Sequence, residues 1–251
     1  MKKFFVLVLT GIASMLTPMH AVDVFNHLGA GVGVGTNGIS VELATPITKF
    51  IQMRAGVSIM PGITFNADAD FTYDTPNPGS LSGEMVSREG TMSLKGDLGR
   101  VQGQVIFNIY PIPKCGLFVA GGAYFGGDKL LKISGHSDEL RELAATSNAY
   151  NGQVSIGDYS IPANENGDVA GGFKVKNFRP YVGIGWGKVI PNKFINFTTE
   201  LGVQFQGKPE LYSEHGQIDK STIEDDNTFQ KIQDALKVYP TLTFRLNFRA
   251  F

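Results

Sequence analysis

Residues able to do chemistry fall into four groups, and each would need a particular scaffold. Ser213-Glu214-His215 and His136-Ser137 put a hydroxyl beside an imidazole, the residue types of a nucleophile and its base. Neighbours on one chain seldom serve each other this way, because the base must lie within hydrogen-bond reach and be oriented by a third group. Gly33-Val34-Gly35-Thr36-Asn37-Gly38 fits the G-x-G-x-x-G pattern that cradles a pyrophosphate. That pattern works only where a helix follows, and Ile39 to Pro46 alternates like a strand instead. Asn164-Glu165-Asn166-Gly167 has the look of the middle of a calcium loop, yet Pro162 stands at the first ligand position and Phe173 at the last. The fourth group is Glu42, Arg54, Arg100, Glu200 and Arg245, with Arg179 as an added candidate, each at an alternate position of an otherwise apolar stretch. Charges so placed must pair with one another wherever water is scarce. None of the four groups implies a catalytic residue, a cofactor or a metal site, and the protein is expected not to be an enzyme.

The elements that carry the fourth group are strands. In Phe194 to Gly207, the apolar residues Ile195, Phe197, Leu201, Val203 and Phe205 alternate with Asn196, Thr198, Glu200, Gln204 and Gln206. The same period of two runs through Leu242 to Phe248 and Ile51 to Ile59, and more weakly through Leu28 to Gly35, Ile39 to Thr45, Arg100 to Ile109, Cys115 to Phe125 and Phe178 to Gly187. Period two at this length predicts strands, eight in all, each close to the ~9 to 11 residues that cross a bilayer when tilted. Gln153 to Ile161 alternates weakly and leaves a ten-stranded count open.

The connections separate a membrane barrel from a soluble sandwich. Pro46-Ile47-Thr48-Lys49, Pro111-Ile112-Pro113-Lys114 and Ile190-Pro191-Asn192-Lys193 are short, similar and each followed by a strand. They alternate with long polar connections at roughly 61–98, 126–175 and 208–237. Short turns on one side and long loops on the other mark an outer-membrane barrel. Asn37-Gly38 is the exception on the long side, a tight hairpin pair. Within the last long loop, Ile223 to Leu236 predicts a helix capped by Thr222, and Ser137 to Ala145 predicts a shorter one.

Residues 1–21 carry Lys2 and Lys3, an apolar run from Phe4 to Leu16, and a small residue at Ala21, which predicts a cleaved export signal ahead of one domain, 22–251. Without Lys2 and Lys3, 22 − 2 = 20 basic residues face 23 acidic ones, so no basic footprint for nucleic acid remains. One Cys permits no internal disulfide. With strands, export and no apolar helix, membrane crossing falls to a closed barrel, the only strand structure that pairs every backbone group in hydrocarbon. Trp186, Phe194, Phe197, Phe205, Tyr181, Phe178, Tyr239 and Phe248 lie near expected strand ends, as interfacial aromatics do.

His27 to Thr36, Arg54 to Pro61 and Pro180 to Gly187 resemble segments of a family of small outer-membrane β-barrel proteins of Gram-negative gut anaerobes. The resemblance implies an outer-membrane location and an eight-stranded barrel, and supplies no activity. The chain ends in Phe251, as such barrels commonly end in an aromatic that the barrel-assembly machinery reads, although Phe244, Leu246 and Phe248 are out of parity with it.

The expectation is therefore an all-β, eight-stranded antiparallel transmembrane barrel in the outer membrane, its outer face in contact with lipid. Its lumen would be filled by an ion network of Glu42, Arg54, Arg100, Glu200 and Arg245, with Glu42 directly opposite Arg54. Gly29, Gly31, Gly33 and Gly35 would face inward to make room for Phe118, Tyr124 and Tyr181. The leading function is a structural or surface-interaction role through long outer loops that meet an extracellular ligand. The alternatives are a narrow channel for small solutes and a soluble periplasmic barrel that binds a lipid-like molecule inside.

Overall fold

The computed structural model describes residues 27–76, 84–146, 153–156, 159–216, 234 and 236–250. The expected export signal, 1–21, lies outside the described residues, as does Phe251. So does the expected helix 223–236, apart from Asp234 and Leu236, which are helical.

In chain order the strands are β1 (Gly29–Gly35), β2 (Gly38–Pro46), β3 (Ile51–Met60), β4 (Thr64–Pro76), β5 (Met85–Asp97), β6 (Arg100–Ile109), β7 (Leu117–Phe125), β8 (Lys129–His136), β9 (Gln153–Ile156), β10 (Tyr159–Pro162), β11 (Asp168–Lys174), β12 (Phe178–Trp186), β13 (Ile195–Phe205), β14 (Glu210–Ser213) and β15 (Val238–Arg249). One helix, α1 (Asp138–Thr146), follows β8. Ser137 caps it, its hydroxyl accepting from the Leu140 amide at 3.4 Å, with Asp138 and Glu139 in the first turn where the helix dipole favours acids.

Eight strands close a barrel in the order β1-β15-β13-β12-β7-β6-β3-β2, and every neighbouring pair is antiparallel. These are the eight strands expected from period two; the last begins earlier, at Val238 instead of Leu242. Between β1 and β2 the chain reverses at Asn37-Gly38, where Gly38 has φ +86°, a conformation that costs a side-chain-bearing residue strain.

The described parts of the long connections include strands. Seven strands in the order β10-β9-β4-β5-β8-β11-β14 form a second sheet. It extends the wall β3-β6-β7-β12-β13 past the barrel, because β4 and β5 follow from β3 and lead into β6, β8 leaves β7, β11 leads into β12, and β14 leaves β13. The residues between wall and extension carry the breaks: Gly126 and Gly127 both have positive φ, and Gly207 has φ +75°. Within Gln153 to Ile161, β9 and β10 pair with each other in this second sheet, so they add nothing to the barrel's strand count.

Burial in the barrel is inverted relative to a soluble protein. On β13, Phe197, Leu201 and Phe205 are 55%, 59% and 45% exposed, while Thr198, Glu200 and Gln204 are at most 1% exposed. β15 repeats this, with Leu242, Phe244 and Leu246 outside and Thr241, Thr243, Arg245 and Asn247 inside. An apolar exterior around a polar interior is the arrangement of a transmembrane β-barrel and the opposite of what a soluble lipid carrier needs. Trp186, Phe178, Phe194, Phe197 and Phe205 are exposed on this outer surface. Tyr181 is not part of that girdle: its odd parity with Arg179 on β12 turns it into the lumen, where it is buried.

Candidate functional site

Four of the five charged residues singled out in the sequence meet at the centre of the barrel. Arg54 on β3 donates from Nη1 to Glu42 Oε2 at 3.0 Å and from Nη2 to Glu200 Oε1 at 2.6 Å. Arg245 on β15 donates from Nε to Glu42 Oε1 and from Nη1 to Glu200 Oε2, both at 2.9 Å. Each carboxylate is held by both guanidiniums and each guanidinium by both carboxylates, a closed ring with no net charge and no more than 2% side-chain exposure. The remaining hydrogen-bond capacity goes to neighbours. Arg54 Nε donates to Asn108 Oδ1 at 2.9 Å, Gln104 Nε2 to Glu42 Oε1 at 2.7 Å, and the Tyr181 hydroxyl to Glu200 Oε1 at 2.5 Å. Charge-assisted bonds of this density are what a buried ion cluster needs to offset its lost hydration.

The register departs from expectation here. Glu42 pairs with Gly56 across β2–β3, and Arg54 pairs with Ala44, because the turn closes on Pro46 opposite Gln52 and is two residues longer than expected. A slip of two preserves the face, so Arg54 still points inward and its long side chain covers the diagonal. Glycine makes the space. A Cβ on Gly56 would lie 2.9 Å from Glu42 Cγ, one on Gly33 2.8 Å from Arg245 Cγ, and one on Gly31 2.8 Å from Asn247 Oδ1. The β1 glycines thus accommodate Arg245 and Asn247, not the lumen aromatics; Tyr181 is accommodated by Gly183 and Gly202, and Phe118 by Gly185.

Arg100 stands apart from the ring. It is buried at the end of β6 nearest the second sheet, with its guanidinium 5.0 Å from the centre of the Tyr239 ring. Arg179 is in the same end of the lumen, donating from Nη1 to the Lys176 carbonyl and from Nη2 to Gln102 Oε1, both at 2.9 Å, and to the Gly126 carbonyl. The opposite end is closed by Tyr110 and Phe118, ring centres 5.4 Å apart, with Val189 and Ile190 buried near the short turns. The ring's partners Gln104 and Asn108 escaped the sequence analysis, although they share the period-two face of Gln102 within β6, and Tyr181, expected in the lumen, was not linked to the ring.

The other motifs take structural roles. Gly33 to Gly38 runs from one strand through a hairpin into the next. Asn164 closes a turn, its Oδ1 accepting from the Asn166 and Asp168 amides at 3.0 and 2.8 Å. Ser213 donates to the Ala170 carbonyl and accepts from the His215 amide, while Glu214 pairs with Lys129 at 2.6 Å. Ser137 is the helix cap, and His136 Nδ1 lies 2.7 Å from Asp168 Oδ1. That hydrogen bond, with a lesser one to Asp138, holds the exposed His136 above its ordinary pKa. Asp168 is held below the usual carboxylate range by Asn164 first and His136 second.

No protein-family profile and no curated protein matches the chain. Among solved structures it is similar to Acinetobacter baumannii CarO2, at 19% identity over 89% of this chain and 98% of that one with a TM-score of 0.48. It is also similar to Acinetobacter baumannii CarO, at 18% identity over 88% of this chain and 96% of that one with a TM-score of 0.45. Likeness at this level carries no argument about activity, and it does not bear on the grouping with gut anaerobes. The fold class stands on this chain's own strand pairing and inverted burial.

Replacing Arg54 with Ala leaves two buried carboxylates short of a partner and is expected to cost ~3–5 kcal/mol, whereas exchanging Arg54, Glu42, Glu200 and Arg245 together for apolar residues of similar volume is expected to cost less than the single change. Urea unfolding in detergent micelles checks both. For His136, the sign follows from the raised folded pKa: the pair's contribution is present below the unfolded value near ~6.5 and is lost as pH rises through the folded value. An NMR titration is expected to place the His136 midpoint above that of a free histidine, and Asp168→Asn is expected to bring it down.

Proposed function

We propose that this protein sits in the outer membrane as a closed-lumen barrel whose raised sheet presents a recognition surface outside the cell. The single observation that supports it best is the Glu42–Arg54–Glu200–Arg245 ring, which joins β2, β3, β13 and β15 across the middle of the bore. Eight strands enclose little more than the volume of their own side chains, and here that volume holds a ring of paired charges with Tyr124 and Tyr181 against it. A solute would have to break four ion pairs to pass.

The second sheet gives the recognition role a physical basis. Cross-strand partners share a face, so Thr64, Asp97, Lys132, Gly172 and Tyr212 form one row, and Lys95, Ser134 and Ala170 form the next on the same side. This face carries most of the sheet's charged residues and holds an open groove of about 330 Å³ lined by Lys95, Asp97, Lys132, Tyr212 and Glu214 together with Ile133 and Ala170. The opposite face carries Phe65, Met92, Leu94, Ile133 and Val169. Strands whose backbone is already paired lower the ordering cost of meeting an extracellular partner. Insertion would proceed through the barrel-assembly machinery reading β15, with lipid against the outer face.

The competing channel reading uses the same lumen and requires a continuous path through it. Planar-bilayer recording separates the two: the wild-type protein is expected to give no steady single-channel conductance, and the fourfold apolar-small variant with Ala at positions 42, 54, 200 and 245 is expected to conduct. Large, steady openings of the wild-type protein would reverse the assignment.

A further inference from the structure

Arg100 and Arg179 are lumen guanidiniums outside the ion ring, and among the described residues neither has a counter-ion. Arg100 is 6% exposed and Arg179 fully buried. Arg100 and Gln102 are two apart on β6 and so share the lumen face; Arg179 reaches past β7 from β12 to place Nη2 2.9 Å from Gln102 Oε1. The nearby Asp128 is exposed and makes no ion pair with Arg179 among the described residues. Among the described residues neither arginine has an ion-pair partner. Each also keeps a buried donor without a hydrogen bond, Arg100 Nη1 and Arg179 Nε, and Gln102 Nε2 is a third.

Two like charges and three unused donors, all buried at one end of the β6–β7–β12 wall, form an arrangement that is costly until something negative completes it. Arginine beside an amide donor is the pairing that recognises the oxygens of a carboxylate or phosphate. Both carboxylates deeper in the lumen are already saturated by the ring, so they cannot serve. We propose that the end of the lumen nearest the second sheet binds a small soluble oxyanion, a carboxylate or phosphate group, through Arg100, Arg179 and Gln102, with the ion ring as the floor of the site. This goes beyond the recognition role of the outer sheet and does not depend on it.

The test uses the full-length mature protein folded into zwitterionic phosphatidylcholine vesicles. Sodium phosphate and sodium acetate are titrated separately against sodium chloride at matched ionic strength, with the thermal midpoint and calorimetric heat as readouts. The expected result is a saturable response to phosphate or acetate beyond that of chloride, weakened about tenfold or more in Arg100→Gln and in Arg179→Gln by loss of a charged hydrogen bond. Among the described residues the Arg100 guanidinium holds no backbone carbonyl, so Arg100→Gln carries the test if Arg179→Gln fails to fold, and Arg100→Lys is expected to recover part of the affinity. A response equal to that of chloride, or one unchanged in the variants, would overturn the proposal and leave water as the partner of these donors.

Discussion

Side chains alternate across a strand, and in a closed barrel that geometric fact obliges half of every wall strand to find partners in a space only a few side chains wide. Here the outward half is apolar, so the inward half must satisfy its charges without bulk water. The ring of Glu42, Arg54, Glu200 and Arg245 answers that constraint by neutralising itself, and Asn108, Gln104 and Tyr181 take up the remaining donors and acceptors. Glycines at 33, 56, 183 and 202 are the backbone's concession to the ring, since a methyl group at any of them would collide with a ring member or its tyrosine.

The same wall strands do two jobs along their length. Inside the barrel they alternate between lipid-facing and lumen-facing residues; past the breaks near Gly126, Gly127 and Gly207 they continue as a sheet with one polar and one apolar face. Building the outer part from continued barrel strands fixes its position through backbone hydrogen bonds. It also ties the polar groove to the rim where Arg100 and Arg179 sit, so a ligand on the outer sheet and an anion in the upper lumen would be neighbours.

The barrel was legible because its two faces differ strongly in chemistry: Phe197, Leu201 and Phe205 against Thr198, Glu200 and Gln204 leave no ambiguity of period. The second sheet was not, for a physical reason. On β4, Asn66, Asp68 and Asp70 alternate with Phe65, Ala67 and Ala69, and alanine beside aspartate gives a weak contrast in residue types that disfavour strands. Parity likewise told which charges point inward but not how deep each lies. Glu42, Arg54, Glu200 and Arg245 meet because turn lengths place them at one level, whereas Arg100 shares their parity at the far end of its strand. Depth is set by register, and register by turns whose geometry a Pro-containing tetrapeptide leaves open, as the two-residue slip between Glu42 and Arg54 shows.

The orientation of the wall strands is the claim on which all of this rests, and lipid-phase quenching tests it most directly. With Cys115 replaced by Ser, a single cysteine is placed in turn at each position from 197 to 205, labelled with a small environment-sensitive fluorophore, and the protein is folded into vesicles carrying nitroxide lipids. Quenching is predicted to alternate with period two, strong at 197, 199, 201, 203 and 205 and weak at 198, 200, 202 and 204. Uniform labelling and quenching along the strand, or maxima at 198, 200 and 204, would contradict the account.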